Sequence, residues 1–192
     1  FNVYNMLAAI TLTRALGVQL RTIESALRSL PPVKGRVEHF STPKDAPKQV
    51  TAVVDYAHTP DSLEKLYQAF KDQKKVCVLG NTGGGRDVWK RPEMAHIAEQ
   101  YCDQIILTNE DPYDEDPRKI VDEMSKGIED QSKLTVVMDR RLAIRTALEM
   151  AEPGSYVLIS GKGTDPFIMG PHNTRQPWSD ADVVKRELNN LN

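Results

Sequence analysis

Val50-Thr51-Ala52-Val53-Val54, running straight into Asp55-Tyr56-Ala57-His58-Thr59-Pro60, decides how the chain folds. The first five residues are a β-branched, mostly apolar run, the pattern of a strand buried on both faces. Thr59-Pro60 then supplies an N-cap and a first helical residue. Leu63, Leu66, Tyr67 and Phe70 follow at helical spacing. Toward the C-terminus the same alternation repeats three times. Val76-Cys77-Val78-Leu79 precedes a helix expected over 92–102, Ile105-Ile106-Leu107 one over 117–128, and Leu134-Thr135-Val136-Val137 one over 139–151. A last strand, Tyr156-Val157-Leu158-Ile159, leads through a long loop to a final helix opened by Ser179. Short apolar strands, each followed by an amphipathic helix, predict an α/β fold: a Rossmann-like, mostly parallel sheet with helices on both faces.

Toward the N-terminus the texture changes. One helix is expected over 4–16, stopped by Gly17, and another over 22–30, ended by Pro31-Pro32. The chain opens at Phe1 directly into this helical pattern, which reads as a fragment of something longer. Composition is that of a globular domain, with 40% apolar and 27% charged residues over 192 positions. A net charge of −2 gives no general attraction to nucleic acid or to an anionic membrane. No apolar run reaches the ~18–20 residues that span a bilayer, and no signal peptide is present, so a cytoplasmic setting is expected. Cys77 and Cys102 lie far apart in apolar contexts without a CxxC or Cys/His cluster, and each reads as a buried reduced thiol. Nothing demands self-association, so a monomer is expected.

Parallel α/β sheets bind ligands at the carboxyl ends of their strands. Here those loops are polar: residues 55–60, Gly80-Asn81-Thr82-Gly83-Gly84-Gly85-Arg86-Asp87, Asn109-Glu110-Asp111-Pro112-Tyr113, Met138-Asp139-Arg140-Arg141 and Gly161-Lys162-Gly163-Thr164-Asp165. The glycine loop lacks G-x-G-x-x-G, and no isolated acidic residue follows the next strand in the ribose-binding role, which argues against a nicotinamide-binding domain. Gly161-Lys162 is no P-loop either: Gly154 stands seven residues before Gly161 and Gly163 replaces the Ser/Thr. The glycine loop reads as a flexible turn, or as backbone that lets a ligand approach while Arg86 reaches an anion. Glu110, Asp111 and Asp165 read singly as solvated turn formers. Grouped across a cleft from Arg86, they suit a zwitterion such as an amino acid.

These motifs resemble those of the Mur ligases, most closely the UDP-N-acetylmuramoyl-tripeptide synthetases. Phe1-Asn2-Val3-Tyr4-Asn5-Met6-Leu7-Ala8-Ala9 is similar to the end of that family's central ATPase domain, and Gly35-Arg36-Val37-Glu38 to the G-R-x-E opening its third domain. Asp55-Tyr56-Ala57-His58-Thr59-Pro60 matches D-Y-A-H-T-P, and Arg86-Asp87, Lys90-Arg91-Pro92-Glu93-Met94, Asp139-Arg140 and Gly161-Lys162-Gly163 continue in order. The resemblance covers essentially the whole chain. It implies a helical end of the central domain over 1–34 and a C-terminal, amino-acid-binding domain over 35–192. It implies ATP and magnesium, a UDP-muramoyl peptide and an amino acid as substrates in peptidoglycan synthesis, and reaction through an acyl phosphate. The P-loop and the magnesium ligands belong to the family's central domain, so the fragment alone is expected to be inactive.

Carried over by residue, the resemblance places Asn2 and Asn5 near the adenine, Arg36 on the nucleotide phosphates, Asp55 on the ribose and Tyr56 on the base. Read bare, Asp55 is a turn or capping carboxylate, Tyr56 a half-buried packing ring and His58 a turn orienter. The amino acid is expected among Arg86, residues 110–113, Gly161 and Asp165, with Arg86 on its carboxylate and Asp165, where the family usually has Glu, on its ammonium. Two departures stand out. Glu110-Asp111-Pro112-Tyr113 replaces the family's diaminopimelate-specific D-N-P-R, so the arginine that grips the distal carboxylate is absent. Asp111 would also welcome a distal amine, which favours lysine or a similar diamine over meso-diaminopimelate. The glycine loop is one residue longer than usual, with Gly85 where the family commonly has Asp. Other readings are a cyanophycin- or folylpolyglutamate-synthetase-like ligase, which Lys90-Arg91-Pro92 and Gly161-Lys162-Gly163 oppose, and a non-catalytic binding module.

Overall fold

The computed structural model describes residues 2–85 and 87–191. The chain divides into two compact units, Phe1–Val33 and Lys34–Asn192. The first holds α1 (Asn2–Ala15) and α2 (Leu20–Ser29). Gly17, in the left-handed region at φ 86°, ends the first of these helices, and Leu30 turns extended ahead of Pro31 to end the second.

The second unit is built on a six-stranded sheet. In chain order its elements are β1 (Glu38–Ser41), β2 (Thr51–Val54), α3 (Pro60–Ala69), β3 (Lys75–Leu79), α4 (Lys90–Tyr101), β4 (Gln104–Leu107), α5 (Pro117–Ser125), β5 (Leu134–Val136), α6 (Arg140–Met150), β6 (Tyr156–Ile159), β7 (Phe167–Met169), β8 (Arg175–Pro177) and α7 (Asp180–Asn189). The sheet order is β1-β2-β6-β3-β4-β5, with β1 antiparallel and the other five strands parallel. Leu63, Leu66, Met94, Ala98, Val121 and Met124 pack α3, α4 and α5 on one face. Ile144, Ala147, Leu148, Val183 and Val184 pack α6 and α7 on the other. The expected parallel sheet with helices on both faces is therefore present.

Local chemistry starts the helices where the loops end. Thr59 and Ser62 form a reciprocal capping box at α3, Asp139 accepts the Leu142 N–H at α6, and Ser179 accepts the Asp182 N–H at α7. Val54 pairs with Ile159, Val78 with Ile159 and Leu79 with Leu107, so the parallel strands end level and their loops open on one edge. Chain connections diverge between β3 and β6, which leaves a crevice there.

Three features differ from expectation. β1 adds an antiparallel edge that its Glu38-His39 start conceals, since charged and polar residues on a half-exposed edge strand give no apolar run. The long loop before α7 holds a short hairpin, β7 with β8. Most importantly, Cys77 and Cys102 are buried as a disulfide rather than as reduced thiols. Cys77 lies in the middle of β3 and Cys102 caps α4. The β-α-β turn brings their Cα atoms to 6.2 Å, within bridging range. Among the described residues no helix is long and apolar enough to cross a membrane.

Candidate functional site

The end of β2 builds one side of the crevice. Asp55 is buried, and its two carboxylate oxygens accept the N–H groups of Ala57 and Val37, each at 2.8 Å. The Asp55 carboxylate thus ties the Gly35-to-Val37 turn onto the strand. Its bare reading as a turn carboxylate accounts for these bonds, and each oxygen keeps lone pairs for a further donor. Tyr56 is half-buried, with the Arg36 guanidinium 4.5 Å above its ring and the His58 ring at its edge, 4.7 Å away. His58 Nδ1 lies 2.7 Å from the Tyr56 carbonyl, the turn-orienting position expected of it. The Gly163 backbone presses against Tyr56: a Cβ there would meet the tyrosine Cβ at 2.7 Å. Arg36, Tyr56 and the 161–165 loop are therefore neighbours, and Arg36 is exposed.

Behind them lies a buried polar network. Lys162, 1% exposed, donates to Asp111 at 2.7 Å, and Asp111 also accepts the Met169 N–H at 2.8 Å. Asp165, on the rim, sits 3.5 Å from the same ammonium with its side chain 40% exposed. Glu110 is buried against Gly161, whose missing side chain leaves the room that the carboxylate fills. Thr82 Oγ1 donates to Glu110 at 3.1 Å. Burial pushes the Glu110 carboxyl above the usual carboxylate range, more than Arg140 and Lys162 pull it back. Arg140 in turn donates twice to Asp180, at 2.9 and 2.8 Å, and once to the Ser160 carbonyl at 2.8 Å. Trp178 Nε1 also donates to Asp180. The pair Arg140 and Asp180 is essentially without solvent exposure.

The glycine loop closes the far side. Its Gly83 N–H donates to the Asp111 carbonyl at 2.7 Å, and a side chain at Gly83 would collide with the Pro112 carbonyl, which only glycine avoids. The Gly85 N–H donates to the Glu115 carboxylate. Arg91, 1% exposed, donates to Glu123 at 2.6 Å and to Glu115 at 3.0 Å. A cleft of about 450 Å3 opens here, lined by Gly84, Gly85, Arg91, Glu115, Lys119 and Glu123. Tyr113 holds a left-handed backbone at φ 51°, rare for a bulky residue, and its N–H donates to the Met169 carbonyl.

Of the residues read from sequence, Glu110, Asp111, Gly161 and Asp165 converge, with Tyr113 joined to them through Met169, while Arg36, Asp55 and Tyr56 form a second group beside them. Asn2 and Asn5 lie on α1, in the other unit, and Asn5 is exposed. Arg86 lies outside the described residues. The arrangement departs from expectation at one point. Asp111 does not face outward toward a ligand amine; Lys162 and the Met169 N–H occupy its carboxylate. Sequence reading assigned no role to Lys162, Arg91, Glu115, Arg140 or Asp180. The signal was present in Lys90-Arg91-Pro92, Asp139-Arg140 and Gly161-Lys162-Gly163, but as motif letters without partners. Among the described residues no group of three His, Cys, Asp or Glu side chains gathers as a metal site.

Comparison with known proteins gives a consistent result. Residues 35–163 match the family described as Mur ligase, glutamate ligase domain. The chain is 44% identical over 192 residues to the UDP-N-acetylmuramoyl-L-alanyl-D-glutamate--2,6-diaminopimelate ligase of Thermosynechococcus vestitus, covering 98% of this chain and 38% of that protein. It is 39% identical over 198 residues to the UDP-N-acetylmuramyl-tripeptide synthetase of Roseiflexus sp., covering all of this chain and 38% of the relative. A solved UDP-N-acetylmuramoyl-L-alanyl-D-glutamate--2,6-diaminopimelate ligase superposes with a TM-score of 0.70 at 31% identity, over 98% of this chain and 38% of that one. A folylpolyglutamate synthase from Thermotoga maritima shares the fold, with a TM-score of 0.58 at 20% identity over 82% of this chain. The chain thus spans a little over a third of the length of the relatives it matches.

Proposed function

The chain belongs to the Mur ligase family, and from that membership we propose that it is the C-terminal, amino-acid-binding part of an ATP-dependent ligase that joins a diamino acid to a UDP-muramoyl dipeptide. The whole protein forms the amide through an acyl phosphate; this part receives the amino acid and closes on the nucleotide. The observation that carries the reading is the convergence of five motif loops on one edge of the sheet, within a chain 44% identical to a ligase of that name.

In this reading the Arg36, Asp55 and Tyr56 group meets ATP. The residues present fit such a role. A guanidinium over a half-buried ring offers charge to phosphate and a flat face to a purine, and Asp55 has acceptor capacity left for a ribose diol. Magnesium, which neutralises phosphate charge when bound, falls to the rest of the protein. The amino acid enters between the glycine loop and Asp165, with Arg86 on its carboxylate and Asp165 on its ammonium. Glu110 and Asp111 shape the floor of that site instead of touching the ligand, because burial and Lys162 engage them.

The name of the Thermosynechococcus vestitus relative, and that of the solved ligase, favour 2,6-diaminopimelate. A second reading, lysine or a similar diamine, rests on Tyr113, which stands where the family's diaminopimelate-specific loop has arginine. The test is phosphate release from ATP by the full-length protein with UDP-muramoyl dipeptide, adding meso-diaminopimelate, lysine, ornithine or neutral amino acids in turn. Stimulation by one diamino acid supports the ligase, and its identity chooses between the readings. No stimulation by any amino acid overturns both.

A further inference from the structure

The glycine loop is held by a chain of charges with no part in the reading above. Arg91 opens α4 and reaches three elements at once. Its Nε lies 3.4 Å from Asn81 Oδ1 at the start of the loop, its Nη1 donates to Glu123 on α5, and its Nη2 donates to Glu115. Glu115 then accepts the Gly85 N–H with its other oxygen. A single buried guanidinium therefore connects the first and last parts of the loop to a neighbouring helix. We propose that Arg91 is a positioning residue for the incoming amino acid: through Glu115 it sets the conformation of the glycine loop, and with it the affinity of the site for the amino-acid carboxylate.

Three features support the assignment. Arg91 is almost fully buried, whereas arginine is rarely so unless paired, and here its fork is shared between two carboxylates. The loop it braces needs bracing, since Gly84 and Gly85 both sit in the left-handed region, at φ 84° and 74°, and Asp87 follows at φ 52°. Glu115 is suited to remain an anion: partial burial opposes its charge, but the Gly85 N–H and Arg91 together hold its carboxyl below the usual range. Lysine is a compact point charge without the fork, so Arg91→Lys reaches one carboxylate and releases the other.

The proposal rests on the reading of the glycine loop as part of the amino-acid site, and its test separates the two. Arg91→Lys and Glu115→Gln are made in the full-length protein. Hydrogen exchange of the peptide covering 82–89 is followed by mass spectrometry, alongside the KM values for the amino acid and for ATP. The expected result is exchange at least tenfold faster in both variants, with the amino-acid KM raised about tenfold or more and the ATP KM within twofold. A merely structural loss would lower kcat with the folded fraction and leave KM unmoved, because KM does not depend on how much enzyme is active. Unchanged exchange in both variants overturns the brace. Faster exchange with equal rises in both KM values overturns its link to the amino acid. If the unmodified protein shows no amino-acid-dependent turnover, the ligase reading falls, and the link to the amino acid falls with it; exchange then decides the brace by itself.

Discussion

Two clusters of charge sit side by side at the strand ends, and they do different work. Lys162, Asp111, Glu110, Arg140 and Asp180 are buried, and their hydrogen bonds go to one another, to backbone or to the neighbouring Thr82 and Trp178 side chains. Arg36, His58 and Asp165 stand at the rim with solvent-facing capacity left. The contrast teaches that charge in a motif loop does not by itself mark a ligand contact. Asp111 and Asp165 are both acidic and both near Lys162, yet only the second keeps a side chain open to solvent.

The contrast breaks most visibly in the interior. Replacing Arg140 with Met removes the partner of Asp180 where neither is exposed. Removing one member of a buried pair costs about 3–5 kcal/mol, so Arg140→Met should lose that much in a urea unfolding series. A loss below about 1 kcal/mol would place the pair with surface bridges and erase the distinction. Reducing the disulfide gives a second benchmark, away from the loops. Its residues are 25 apart in sequence, for which loop-closure entropy gives about 3.5 kcal/mol. Unfolding midpoints with and without dithiothreitol should therefore show a loss in the lower half of the range given for Arg140→Met.

The strands and helices were legible because their apolar periodicity is local: Val50 to Val54 and Leu63 to Phe70 declare themselves within a few residues of chain. The ends of helices were legible too, since Thr59, Asp139 and Ser179 cap helices within four residues of themselves. What stayed hidden is long-range. Lys162 finds Asp111 across 51 residues and Arg140 finds Asp180 across 40. No spacing rule distinguishes such a lysine from one pointing into water. The disulfide was hidden for the same reason, because two buried cysteines 25 apart look alike whether the fold separates or joins them. The β7 and β8 hairpin escaped because each strand is three residues long, and the second is fully exposed.

At the rim the expected effect moves from stability to binding. Arg36 is exposed and stacks on Tyr56 without a carboxylate partner among the described residues. Arg36→Ala should change unfolding free energy by no more than about 0.5 kcal/mol. A charged hydrogen bond to phosphate is worth about 1.5–3 kcal/mol, or roughly 10–150-fold, so the KM for ATP in the full-length protein should rise within that range. A large stability loss with an unchanged ATP KM would move Arg36 into the same class as Arg140.

The smallest expected change tests the interior by its pH dependence. Glu110 has its folded pKa raised, by burial first, and Arg140 and Lys162 reverse only part of this. A group raised on folding contributes stability that is fully present below its unfolded value, near 4.5, and that is lost as pH rises through the folded value. Glu110→Gln keeps an acceptor for Thr82 and cannot ionise. The variant and the parent should therefore differ little below pH 4.5, with the variant gaining relative to the parent as pH rises through the folded value. Denaturant midpoints measured across that range decide the matter. A variant that instead loses ground as pH rises would mean that Arg140 and Lys162 hold Glu110 as an anion. The network would then be one of matched charges, and Gly161 would be making room for a carboxylate that the cations need.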